Sequence, residues 1–147
     1  MERYSVQNHL QLNEFEICNP MSEEEIENQW KLLHSDMSVR FGEGMDMTGI
    51  LFLIGVQELG KGNVTFSKQE KMDLIHIAIC RILSPLGYYK MTGRDKDGWP
   101  HWELIAKLPN LSPEPQEIFL KGAIISYFKT DSPEPEAMSF YPQFNTN

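Results

Sequence analysis

Ser67-Lys68-Gln69-Glu70-Lys71-Met72-Asp73-Leu74-Ile75-His76-Ile77-Ala78-Ile79-Cys80-Arg81-Ile82-Leu83 is the stretch that decides the fold. It opens on a helix-start signal, Ser67 followed by Glu70, in which two side chains satisfy backbone N–H groups that a helix leaves unpaired. Met72, Ile75, Ile79, Ile82 and Leu86 recur at helical spacing, and Leu74, Ile77 and Ala78 widen the stripe. Pro85 and Gly87 stop it. A helix this apolar needs neighbours to cover it.

The flanking sequence supplies them. Upstream, Asp46 caps a second helix through Thr48–Leu59, apolar nearly all round until Gln57 and therefore central; a buried strand is the rival reading of so short an apolar run. Gly49 and Gly55 weaken it as a helix but let another backbone come close. Before it, Ser22 and Glu25 form a capping box, Met21 and Ile26 a hydrophobic staple, and Ile26, Trp30, Leu33, Met37 and Phe41 one apolar face ended by Gly42 and Gly44. His34 and Asp36 read as a cap at the negative end of that helix and its exit turn.

Downstream, Tyr88–Thr92 and Trp99–Ile105 read as a hairpin around Asp97-Gly98. Met91, Tyr89, Trp102 and Leu104 would face the core, Lys90, His101 and Glu103 the other side, and Pro100 an edge. Ser112-Pro113-Glu114 starts a last long helix reaching Phe128, with Leu120, Ala123, Ile124, Tyr127 and Phe128 packing. The expected fold is mainly α: one helical domain over 1–129, with about four major helices and a small β-hairpin before the last, then a tail over 130–147. Residues 1–18 fit a short helix or an extended arm.

Composition narrows the function classes. A net charge of -8 with no basic run argues against nucleic-acid binding, which needs clustered Lys and Arg. The acidity gathers at Glu14, Glu16, Glu23, Glu24, Glu25 and Glu27, most simply a solvated face. The longest apolar run, Ile50–Ile54, falls far short of the roughly 20 residues of a membrane span. Met1-Glu2-Arg3-Tyr4 does not start a signal peptide. Cys18 and Cys80 form no disulfide framework and no metal-type pair, so a cytoplasmic protein with reduced thiols is expected.

Two groups of residues carry candidate chemistry. Asp73, His76 and Cys80 lie along one helix face; a carboxylate can orient an imidazole, and an imidazole one turn from a thiol can favour thiolate. One helix gives too few ligands for a metal, and a structural polar stripe is the simpler reading, so neither metal nor cofactor is expected. Tyr88, Tyr89, Trp99, His101 and Trp102 gather around the hairpin, either as core packing or as the lining of a pocket or interface. Asp95-x-Asp97-Gly98 echoes part of a calcium loop, but Gly93 and Leu104 occupy its end ligand positions, which leaves a hairpin turn. No phosphate-binding glycine motif and no G-x-S-x-G elbow is present.

Leu51-Phe52-Leu53-Ile54-Gly55-Val56-Gln57-Glu58-Leu59-Gly60, together with Gly98-Trp99-Pro100-His101-Trp102, resembles a family of small uncharacterised bacterial proteins across about the middle half of the chain. The resemblance implies a stand-alone intracellular protein and brings no activity or ligand. The leading expectation is a non-enzymatic interaction module, a homo-oligomer that self-associates through exposed apolar or aromatic surface near the hairpin or tail, with Trp99 and Trp102 as the residues that test it. The alternatives are a metal- or thiol-dependent enzyme built on His76 and a small-ligand binder using the aromatic cluster.

Overall fold

The computed structural model describes residues 21–61 and 64–130. Four helices and one two-stranded sheet follow in the order α1 (Glu23–Phe41), α2 (Met47–Leu59), α3 (Lys68–Leu83), β1 (Tyr89–Arg94), β2 (Pro100–Leu104) and α4 (Pro113–Thr130). The fold is mainly α, with the hairpin before the last helix as expected. Residues 1–18 and the 130–147 tail, apart from the end of α4 at Thr130, lie outside the described residues, as does the proposed division between domain and tail.

The helix starts follow from local chemistry. Ser22 Oγ accepts from Glu25 N at 3.1 Å while Glu25 Oε1 accepts from Ser22 N at 3.3 Å. Ser67 and Glu70 repeat the exchange at 3.1 and 2.9 Å. Asp46 Oδ1 accepts from Gly49 N at 2.9 Å and caps α2. At the other end of α2, Gly60 adopts the left-handed conformation, φ 81°, that glycine reaches without a Cβ penalty.

The apolar second helix is a helix and not a strand, and it is central: Ile50, Leu53, Ile54 and Val56 are fully buried. Its close partner is α3. A Cβ at Gly55 would fall inside van der Waals contact of the Leu74 carbonyl oxygen and 3.0 Å from Leu74 Cβ. Glycine therefore sits at this crossing because the two backbones touch. Helices α1 and α4 pack on one another, with Ile26, Trp30, Met37 and Phe41 buried on α1 and Phe119, Ala123, Ile124, Ile125 and Tyr127 on α4.

Several details depart from the expected arrangement. The buried side of α3 is Leu74, Ile77, Ala78, Cys80, Ile82 and Leu83; Ile75 and Ile79 lie at its margin and Met72 is 58% exposed. The contact with Gly55 draws Leu74, not Met72, to the centre. Helix α1 continues to Phe41, so His34 and Asp36 lie within it, where Asp36 pairs with Arg40 at 3.2 Å. Glu27 is not merely solvated, since it binds Lys121. On the hairpin, burial fades along β2 from Pro100 through half-buried Trp102 to Leu104, 51% exposed, and Met91 is 38% exposed. Only part of the face expected to meet the core is covered.

Candidate functional site

The hairpin is set on the helical body by polar contacts at its turn. Arg94 Nη1 donates to the Gly98 carbonyl at 2.8 Å, and Nη2 to the Glu58 carbonyl at 2.9 Å. Lys61 Nζ donates to the Asp97 carbonyl. Trp99 packs edge-to-face on Phe66, centroids 6.4 Å apart, and Phe66 packs likewise on Phe52 at 6.1 Å. The ribbon thus stands over α3 with its turn fixed to the end of α2.

Between α3 and the ribbon lies a solvent-open cleft of about 410 Å³. Helix α3 supplies Asp73, His76 and Ile77; the hairpin supplies Asp95, Trp99, Pro100, His101 and Trp102. The two candidate groups, one on α3 and one on the hairpin, therefore share one wall-to-wall space, although not every member reaches it. Cys80 is buried, and Tyr88 sits in the core with its ring edge-to-face on Phe119 at 6.1 Å. Tyr89 is half-buried with its ring 6.3 Å from that of His76.

Successive residues of a regular strand point to opposite faces, yet Pro100, His101 and Trp102 all line the cleft. The register slips between Met91 and Gly93, leaving Thr92 as the extra residue of a bulge, whose Oγ1 donates to the His101 carbonyl at 3.2 Å. Bulges bend a strand and re-aim its side chains. Asp95 completes the effect. Its Oδ1 accepts from Asp97 N at 2.9 Å and Trp99 N at 3.0 Å, and its Oδ2 lies 3.0 Å from His101 Nε2. The imidazole, and these two main-chain N–H groups, hold the Asp95 carboxyl below its ordinary range. Asp95, read from sequence as a turn residue, is thus the partner that orients His101; its place opposite the returning strand was the signal.

The remaining polar groups are uneven in what they offer. Asp73 Oδ1 accepts from Gln69 Nε2 at 2.9 Å, which leaves Oδ2 for a donor. His101, donating from Nε2 to the Asp95 carboxylate, presents Nδ1 as an acceptor when neutral. Trp102 Nε1 is sealed from solvent and has no hydrogen-bond partner, so Trp102 offers the cleft ring carbon and not its N–H. Cys80 Sγ lies 3.9 and 3.8 Å from the two ring nitrogens of His76. Near-equal distances describe contact with the ring rather than a directed bond. Burial pushes the Cys80 thiol up to about 11, the opposite of what a thiolate nucleophile needs. Among the described residues, no three His, Cys, Asp or Glu side chains come together as a metal site, and no helix is long and apolar enough to cross a membrane.

Comparison with protein-family models, with curated proteins and with solved structures finds no match. The functional reading rests on the cleft itself.

Proposed function

We propose that this protein is a non-catalytic small-ligand binder and that the cleft between α3 and the hairpin is its site. One observation carries the reading: a space of about 410 Å³ gathers Asp73 and His76 from a helix with Trp99, His101 and Trp102 from the hairpin. Ligand sites have this character, a few hundred Å³ lined by apolar and aromatic surface with a few polar groups. The tryptophans favour it over the self-association first expected of them, since both are half-buried against their own chain. The buried, protonated thiol of Cys80 weighs against an enzyme built on a Cys–His pair.

Thermal shift with a broad metabolite panel tests this reading, because a ligand that binds only the folded state raises Tm. The screen is repeated on Asp73→Asn and His76→Gln, exposed positions whose substitution leaves the core intact. A shift that both variants weaken supports the cleft. A shift that neither changes, or no shift with any compound, overturns it.

Exposed apolar side chains favour one second reading, docking to another copy of the chain. Met72, Leu104 and Ile105 are 58, 51 and 53% exposed. Native mass spectrometry that finds a dimer, lost on Leu104→Glu, would support it; a monomer at all concentrations would end it.

A further inference from the structure

Resting on that reading of the cleft, we infer that its ligand carries a compact organic cation, an ammonium, amidinium or guanidinium group. The lining contains two carboxylates, Asp73 and Asp95, and no Lys or Arg. Two cations at the hairpin turn are committed to other work: Arg94 of β1 binds the carbonyls of Gly98 and Glu58, and Lys61, just after α2, that of Asp97. Acceptors are what the cleft leaves open, namely Asp73 Oδ2 and, on neutral His101, Nδ1. The Trp102 indole N–H, which has no partner, is walled off from the space. A ligand with positive charge matches the two carboxylates; an anion meets two like charges with no Lys or Arg in the lining to offset them. Indole surface beside carboxylates adds to the preference, since aromatic faces attract ammonium and guanidinium groups.

Three probes of one shape and different charge separate the possibilities: benzamidinium, benzamide and benzoate. Each is titrated into the full-length protein labelled with ¹⁵N at its tryptophan side chains, near neutral pH. Three indole signals report, with Trp30, packed between α1 and α4, as the internal control. The expected result is movement of the Trp99 and Trp102 signals with benzamidinium, binding about tenfold tighter than benzamide, none with benzoate, and loss of most of that preference in Asp73→Asn. Benzamide binding as well as benzamidinium, or benzoate binding better, overturns the cation inference and leaves the cleft as a ligand site. Signals that stay still with all three probes, or move equally at Trp30, overturn the inference together with the site.

Discussion

Arg94 donates from Nη2 to the main-chain carbonyl of Glu58 at 2.9 Å, so the hairpin supplies a cation to the last turn of α2. Carbonyls there lack helical partners and carry the negative end of the helix dipole. The side chain of the same Glu58 reaches Arg81 Nε at 3.5 Å and Tyr127 Oη at 3.0 Å. One residue therefore ties the hairpin, α3 and α4 to the end of α2. Arg94→Met is expected to cost about 1 kcal/mol, below the usual range for a charged hydrogen bond because the site is exposed. Urea unfolding checks it; stability equal to the parent protein would show that the anchor is unimportant.

Gly55→Ala tests the crossing of α2 and α3. Helix propensity alone predicts a gain of about 1 kcal/mol. The Leu74 backbone blocks the new methyl, so the expected outcome is a loss of about 3 kcal/mol. Gly49→Ala is the comparison, because its methyl meets the flexible Met45 side chain, which can move aside. If Gly55→Ala raises Tm, the two backbones are not in contact.

Lys121 is 8% exposed, lies over the Trp30 ring, and bonds Glu27 and Glu117, each at 3.1 Å. Burial would lower its pKa, but hydrogen bonds to Glu117 and Glu27 outweigh this and raise it. A raised lysine contributes fully below its unfolded value and loses that contribution as pH climbs through its folded one. Lys121→Met should therefore lose about 1 kcal/mol near neutrality, and the gap should close only above pH 10.5. A gap that closes in mild alkali would contradict the pairing.

In a Cys18→Ser background, Cys80 should resist thiol reagents in the native state at mildly alkaline pH and react on unfolding. The thiol is fully buried and titrates at about 11. Labelling of native protein at the rate of a free thiol would return the Cys80–His76 pair to consideration.

Asp95 gives a prediction in the acid range. Its lowered pKa means that it stabilises the turn at and above the ordinary carboxylate value, and that this is lost as pH falls below 3.8 through the folded value. His101→Ala should move the Asp95 carboxyl titration upward in a ¹³C NMR experiment. An unchanged titration would mean that the main-chain N–H groups alone set it.

Element type and order were legible because each helix announces itself locally. Ser22, Asp46, Ser67 and Ser112-Pro113 are cap signals that act over three or four residues, and the apolar periods follow them at once. What the sequence concealed depends on contacts between elements. Which side of α3 faces inward follows from the approach of α2 at Gly55, whereas local spacing put Met72 in the central stripe and Leu74 beside it. Lys121 gave no sign that it would be buried, because its partner Glu27 lies on another helix. The cleft was half legible: both of its walls had been singled out as groups, but their meeting depends on how Arg94 and Lys61 seat the hairpin. The bulge at Thr92 and the Asp95–His101 bond exist only in the paired strands.

Glu27 and Lys121 stand 94 positions apart. That separation orders the way the chain acquires structure. Helices α2 and α3 are neighbours in sequence and in space, so their pairing closes only a short loop. The seam between α1 and α4 closes nearly the whole described chain and comes due only when α4 has left the ribosome. Until then Ile26 and Trp30 have no α4 to cover them. During synthesis the first described helix completes its packing only when the last one arrives.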